Sequence, residues 1–369
     1  MSWTMRITAA AVLMCLSSSL AAAQTLSSSA GPLRVDTVVS GLSEPWSLGF
    51  LPGGGLIVTE RSGRLLVIES GRATPVSGVP AVAARGQGGL LDVLVPRDFA
   101  SSREIFLSYA AAQPGGGAGT AVARGVLSPD GASLERVETI FEMAPGASGG
   151  RHFGSRLVEG LDGLIYVTIG DRGDGDTAQD LSRHEGSVLR IARDGSVPPG
   201  NPFADRSGAQ PEIWSFGHRN PQGAALDGAG RLWVAEHGAR GGDEVNRVEA
   251  GANYGWPVIS YGRHYSGARI GEGTEKPGMR QPAHYWDPSI APSGMMVYSG
   301  ALWPQWRGDF FVGSLKFSLI SRLDGDTLRE AERIEGAQTD RVRDVREGPD
   351  GAIWFISEND GAIYRMTPG

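Results

Sequence analysis

The sequence predicts an all-β fold, a six-bladed β-propeller of four-stranded antiparallel blades. Three observations carry that expectation. The 369 residues include 55 glycines and 22 prolines and show few long helical patterns. One unit recurs along the chain: an apolar segment, a Pro/Asp/Gly turn, then a second apolar segment ending in a polar residue. Those polar residues fall at the same end of successive units, which core packing alone does not explain.

The units run in order. The first is Trp46-Ser-Leu-Gly-Phe50 with Gly55-Leu-Ile-Val-Thr-Glu60. The second is Leu91-Asp-Val-Leu-Val95 with Glu104-Ile-Phe-Leu-Ser-Tyr109. The third is Gly154-Ser-Arg-Leu-Val158 with Gly163-Leu-Ile-Tyr-Val-Thr-Ile-Gly-Asp171. The fourth is Gln222-Gly-Ala-Ala-Leu-Asp227 with Gly230-Arg-Leu-Trp-Val-Ala-Glu236. The fifth is Ser293-Gly-Met-Met-Val-Tyr298 with Gly308-Asp-Phe-Phe-Val-Gly-Ser314. The last is Val342-Arg-Asp-Val345 with Gly351-Ala-Ile-Trp-Phe-Ile-Ser-Glu358. Six units in about 346 residues suit four-stranded blades joined by some long loops. In a propeller, each inner strand pair runs to the same end of a central channel. Glu60, Gln87, His152, Asp171, Glu236, His237, Lys316 and Glu358 are expected to converge there.

Residues 1–23 read as a secretory signal peptide, and residues 24–369 as a single propeller domain. Arg6 supplies the positive start, Ile7 to Leu16 is an apolar run too short to span a bilayer, and Ala21-Ala-Ala23 is a small-residue cleavage site. The expected location is periplasmic or secreted, with no membrane span. Cys15, the one cysteine, lies in the leader, so the mature chain needs no disulfide. The net charge of −7 argues against nucleic acid as a partner. Only Lys276 and Lys316 are lysines; the other basic residues are arginines, which singles out Lys316.

His152 and Asp171 form the sharpest constellation. Asp162-Gly163 is a tight-turn signal between two strands. Antiparallel pairing would bring histidine and aspartate to one edge, the make-up of a general base with its orienting carboxylate. Ser215-Phe-Gly-His-Arg-Asn-Pro-Gln-Gly223 precedes the fourth unit as Arg151-His-Phe-Gly154 precedes the third. Arg219 there could polarise a carbonyl and Asn220 could orient one, though the block alone reads equally as a turn. Arg341-Val-Arg343 alternates as a strand would, so both arginines are expected on one face; either alone reads as a solvated residue. With Lys316 and Arg219 they would ring the channel mouth and favour an anionic ligand. Asn253-Tyr-Gly-Trp-Pro257 follows Gly241-Gly-Asp-Glu244 and could offer carbonyls to calcium, although simple turn chemistry explains it as well. His218 and His237 are expected near the site; His184, His264 and His284 read as structural. No zinc-ligand spacing, nucleophile elbow or phosphate-binding glycine loop occurs.

Together these blocks closely resemble the soluble, pyrroloquinoline-quinone (PQQ)-dependent glucose and aldose sugar dehydrogenases. The resemblance runs from Gly41-Leu-Ser-Glu-Pro-Trp46 to Gly361-Ala-Ile-Tyr364. It is strongest at Gly86-Gln-Gly-Gly-Leu-Leu-Asp92, at the blocks around His152, Arg219 and Tyr254, and at Tyr285-Trp-Asp-Pro-Ser-Ile-Ala-Pro-Ser-Gly294. The bacterial aldose sugar branch is the nearer one. The resemblance implies a six-bladed propeller, PQQ, calcium, an aldose substrate and a lactone product. It implies His152 as the base on the anomeric hydroxyl, held by Asp171. It sets Arg219 and Asn220 at the quinone oxygens, and Gln87, Lys316, Arg341 and Arg343 at the cofactor's polar and carboxylate edges. Backbone carbonyls around Gly255 and Pro257 would bind the calcium. Ser155 and Phe317 depart from the usual pattern, which bears on pocket shape rather than chemistry. The electron acceptor is not legible.

Two other functions compete. A calcium-dependent lactonase would want carboxylate and Asn metal ligands and no cationic cradle. A non-enzymatic carbohydrate-binding propeller would not need His152 beside Asp171.

Overall fold

Six antiparallel sheets are arranged as blades around a ring in the computed structural model, which describes residues 24–114, 116–144 and 146–369. The expected leader lies outside the described residues. Blade 1 comprises strands Pro45–Phe50, Leu56–Glu60, Arg64–Glu69 and Arg72–Val76. Blade 2 comprises Leu90–Leu94, Glu104–Ala112, Ala118–Leu127 and Leu134–Glu142. Blade 3 comprises Leu157–Glu159, Ile165–Ile169, Ser187–Ile191 and Ile213–Phe216. Blade 4 comprises Pro221–Leu226, Leu232–Glu236, Asp243–Arg247 and His284–Trp286. Blade 5 comprises Pro292–Val297, Phe310–Ser314, Leu319–Leu323 and Glu330–Glu335. Blade 6 takes Val342–Glu347, Ile353–Ser357 and Ala362–Pro368 from the chain's end. Each recurring unit read from the sequence is the inner strand pair of one blade.

Blade 6 departs from the expected four strands. Leu33–Val39 pairs antiparallel with Ala362–Pro368, and Gln24–Leu26 adds a fifth strand outside it. The pairing joins the two ends of the ring, so the last strand is not left as an open edge.

Burial explains why the inner strands lack strand-like alternation. Every residue of Leu56–Glu60 and of Phe310–Ser314 is buried, because neighbouring blades cover both faces. Outer strands face water: in Arg72–Val76 only Val76 is buried. Each junction between blades has its own apolar cluster. Blades 1 and 2 meet through Ile57, Leu65, Leu90 and Leu107, and blades 5 and 6 through Trp306, Phe311, Val345 and Phe355. No helix among the described residues is long and apolar enough to cross a membrane.

The axis of the ring holds charge. Arg156 is 1 % exposed, and its Nη1 lies 2.9 Å from Asp92 Oδ1 and 3.2 Å from Asp344 Oδ1. Arg346 reaches the same two carboxylates, each at 3.0 Å. Ser47 Oγ donates to Asp92 Oδ1 at 2.5 Å, Leu157 N to Asp92 Oδ2 at 2.7 Å, and Arg156 Nε to Gln222 O at 3.0 Å. Arg156 also stacks on the Trp46 ring, 4.5 Å from its centre. Inner strands of blades 1, 2, 4 and 6, and the segment entering blade 3, are thus tied at one point.

Removing one partner from such a network strands the others without solvent. Asp92→Ala is expected to lower unfolding free energy by about 3–5 kcal/mol. Urea denaturation would show this as an earlier midpoint, with far-UV circular dichroism unchanged before the transition.

Candidate active site

A cavity of about 930 Å³ is lined from blades 1, 4, 5 and 6 and from the link between blades 1 and 2. Of the residues predicted to converge, Gln87, His237, Lys316, Arg341, Arg343 and Glu358 line it; Trp46 and Gln222, which contact the axial Arg156, line it too. Two predicted members turn away. Glu60 accepts from Ser43 N at 2.7 Å and pairs with Arg64. Glu236 accepts from His218 Nδ1 at 2.8 Å, Arg219 N at 2.7 Å and Asn246 Nδ2 at 3.0 Å, bracing the loops behind the cavity wall. His218, fully buried and stacked on Tyr254, belongs to that brace rather than to the cavity.

His152 and Asp171 meet as expected. The turn between their strands is made by Gly163 at φ +78° and by Leu164 N donating to Asp162 Oδ1. Leu157 pairs with Val167; beyond the strand the pairing slips by one residue, with Ser155 N donating to Thr168 O at 2.6 Å, and the slipped alignment brings His152 beside Asp171. His152 Nδ1 lies 2.6 Å from Asp171 Oδ1, and the two side chains are 11 % and 2 % exposed. His152 holds a left-handed backbone, φ +56°, and its N–H donates to Gln87 Oε1 at 2.7 Å. Gln87 lines the cavity and links it to the pair; His152 is not itself in that lining, and Asp171 lines a separate space of about 650 Å³ with Arg151 and Arg172. Gly170 packs so closely that a Cβ would collide with the His152 carbonyl.

Electrostatics leave His152 neutral. Burial pushes its imidazole below the ordinary value; the Asp171 hydrogen bond opposes this, while Arg219 and Arg151 add to it. Burial works to raise Asp171. The His152 hydrogen bond and charge, Gly173 N–H and Arg219 outweigh it, so the carboxyl stays ionised below its usual range.

Arg219 and Asn220 lie next to the pair. Asp171 N donates to Arg219 O at 2.8 Å, and Gly154 N donates to Asn220 Oδ1 at 3.1 Å. Arg219 Nε and His237 Nε2 are buried and have no hydrogen-bond partner among the described residues. Arg341 and Arg343 both reach the cavity, but not as alternating strand residues. Arg341 precedes the strand at φ +51°, and the pairing shifts register between Val342 and Asp344. That irregularity lets both guanidinium groups share Glu358 Oε2, at 3.2 and 2.6 Å. Lys316 has no carboxylate partner among the described residues and lies 4.8 Å from the Phe317 ring centre. Phe317 and Ser155, the two departures noted above, do not line the cavity.

Gly255 and Pro257 do not line this cavity either. Loop Gly238–Gly241 does, held by Asp243, whose carboxylate accepts from Gly238 N at 2.7 Å, Ser289 Oγ at 2.7 Å and Ala291 N at 2.8 Å. Burial raises the Asp243 carboxyl above its usual value. Behind the loop, a space of about 10 Å³ is bordered by Glu236, Glu244, Tyr254 and Trp256. Burial and the charge of Glu236 push Glu244 up to about 8. Among the described residues no three His, Cys, Asp or Glu side chains gather as a metal site, so a cation here would rely on carbonyls as well as these carboxylates. Sequence reading passes over Tyr265 and Gly238-Ala-Arg240, all of which line the cavity and carry no periodic or motif-like signal; of that loop only Gly241 is singled out, in Gly241-Gly-Asp-Glu244.

Four likenesses bear on this geometry. The family model described as Glucose / Sorbosone dehydrogenase matches residues 42–365. The aldose sugar dehydrogenase YliI of Escherichia coli (strain K12) is 42 % identical over 365 residues, covering 96 % of this chain and 97 % of that one. The apo-form crystal structure of the soluble E. coli aldose sugar dehydrogenase superposes with a TM-score of 0.87 at 42 % identity, over 91 % of this chain and 100 % of that one. The PQQ-bound aldose sugar dehydrogenase of Streptomyces coelicolor gives 0.75 at 29 % identity, over 91 % and 98 %.

His237 gives a direct check on the cavity's electrostatics. Burial, then the charges of Arg219, His152 and Arg343, push it down to about 3, from 6.5 in an unstructured chain. A lowered value means stability present above pH 6.5 and lost as pH falls toward 3. In nitrogen-15 NMR its ring signals should stay flat from about pH 8 to 5. His237→Gln should retain more of its stability on acidification than the parent.

Proposed function

The chain belongs to the glucose/sorbosone dehydrogenase family and is an oxidoreductase, and we propose that it oxidises aldose sugars at C1 to lactones with PQQ and calcium. The observation that carries the proposal is the buried His152–Asp171 pair, 2.6 Å apart, beside a cavity lined by Lys316, Arg341 and Arg343.

The residues fit an anionic, flat cofactor. Lys316, Arg341 and Arg343 would hold its carboxylates and Gln87 a polar edge. Arg219 and Asn220 would meet the quinone oxygens, and Arg219 Nε has no partner among the described residues. For calcium, the oxygen donors at hand are the carbonyls of the Gly238–Gly241 loop at the cavity wall. Those around Gly255 and Pro257, with Glu236 and Glu244, stand behind it. When bound, PQQ would accept the C1 hydride, with calcium acting as a Lewis acid on its quinone.

The protein's own part is proton removal and orientation. Asp171 keeps the proton on His152 Nδ1, so Nε2 carries the lone pair. Nε2 takes the proton of the anomeric hydroxyl as C1 loses its hydride, leaving a C1 carbonyl, the lactone. Asp171 then faces a charged imidazole and stabilises it. The Gln87 side chain holds the His152 backbone in place throughout. If the leader is removed as expected, this chemistry takes place in the periplasm or outside the cell, with an electron acceptor of unassigned identity.

Apo-protein given calcium and PQQ should reduce a redox dye with aldoses, and omitting either should abolish the signal. His152→Gln should lower kcat/KM by about 10²–10⁴-fold. Absence of dye reduction at saturating PQQ would sink the proposal.

A further inference from the structure

The Asn253-Tyr-Gly-Trp-Pro257 block has a contact that its turn chemistry does not require. Asp171 divides its two oxygens. Oδ1 takes His152 Nδ1 at 2.6 Å and Gly173 N at 2.7 Å, and Oδ2 takes the indole Nε1 of Trp256 at 2.8 Å. The same indole lies under Arg219, 5.2 Å from the guanidinium carbon to the ring centre. Trp256 therefore touches the partner of the base on one side and, on the other, Arg219, the arginine proposed above to meet the quinone.

Its own position is fixed from two blades. Trp256 N donates to Gly217 O at 2.9 Å, and Gln179 Nε2 donates to Trp256 O at 2.7 Å. Gln179, in the short turn Gly175–Gln179 of blade 3, also exchanges amide hydrogen bonds with Asn253 of blade 4, at 3.1 and 2.8 Å. Gly255 N closes onto Asn253 Oδ1 at 2.8 Å. A phenyl ring would fill most of the same space but leave a buried carboxylate oxygen without its donor.

We propose that Trp256 is a positioning residue for the base: its indole N–H pins the second oxygen of Asp171 so that the first stays on His152, while its ring seats Arg219. This rests on the reading of His152 as the base. It needs no contact between Trp256 and the sugar, and Trp256 does not line the large cavity. Loss of the indole N–H would leave Asp171 held through Oδ1 alone, by His152 and Gly173 N, so the carboxylate would swing about that oxygen and His152 would sample orientations that do not face the hydroxyl. That predicts a fall in kcat with little change in KM, because the sugar's own contacts are untouched.

Two measurements test it. In nitrogen-15-labelled apo-protein, the Trp256 indole signal, assigned through its own backbone, should move when Asp171 is replaced in Asp171→Asn. It should also shift as His152 titrates. In PQQ- and calcium-loaded enzyme, Trp256→Phe should lower kcat about 10- to 100-fold, as loss of a histidine's orienting partner does, with KM within about threefold. Gln179→Leu, which loosens the clamp but keeps the indole, should lower kcat less. An indole signal indifferent to Asp171→Asn would overturn the inference, and so would a folded Trp256→Phe enzyme with parental kcat. Should Trp256→Phe fail to fold, the apo-protein signal and Gln179→Leu still decide. Failure of the base itself is distinguishable: His152→Gln would then keep its activity while the indole signal still reports Asp171.

Discussion

The site depends on the ion cluster at the axis. Arg156 and Arg346 lie between Asp92 and Asp344, and each of these residues comes from a different blade or from a different position on one. Buried ion pairs are poor sources of net stability, since desolvation offsets most of the attraction. Their value here is registry. Apolar clusters between blades are tolerant of small slips; a fork of guanidinium hydrogen bonds is not. Arg156 also binds the Gln222 carbonyl and stacks on Trp46, both of which form part of the cavity lining. Gln222 Oε1 in turn accepts from Arg343 Nη1 at 3.0 Å. The lining and one of its cations are thus fixed by the same contacts that align the blades.

The His152–Asp171 pair inherits this rigidity from blade 3. Its basis in the sequence is a hairpin: a turn with Asp162 and Gly163, a short strand pair, and a one-residue slip at Ser155 that aligns His152 with Asp171 beyond the strand ends. The left-handed backbone at His152 is held by Gln87 and by the absence of a side chain at Gly170. A base that must face one hydroxyl has little use for freedom, and the local strain is carried by neighbours that over-determine it.

The sequence made the inner strands legible because both faces of each are covered, which writes short apolar runs between turn residues. It made the His152–Asp171 pair legible because a hairpin converts a short sequence separation into contact. It was poorer where backbone irregularity decides direction. Glu60 and Glu236 end inner strands as expected, yet hydrogen bonds to Ser43 N and Arg219 N turn them from the cavity. Arg341 and Arg343 reach one cavity through a register shift, not through alternation. The fifth strand of blade 6 depends on the distant Leu33–Val39 finding the chain's last strand, a pairing no local pattern announces. Trp256 was read as part of a turn, and its indole reaches Asp171 across 85 residues of sequence.

One set of cations serves two purposes around His152. An anionic cofactor needs positive charge around it, and Arg219 is among the groups that would supply it. Burial is the main force lowering the proton affinity of His152, and the same Arg219, with Arg151, adds to it, so the base is neutral before reaction. That would make the charged imidazole costly after proton uptake, were Asp171 not beside it. Asp171 is kept ionised by the His152 hydrogen bond, with Gly173 N–H and Arg219 acting the same way, and its far oxygen is held by the Trp256 indole. The balance between these charges sets when the base is free and when its product is tolerated. A site with the arginines but without the carboxylate would hold an anion and leave its histidine a poor base.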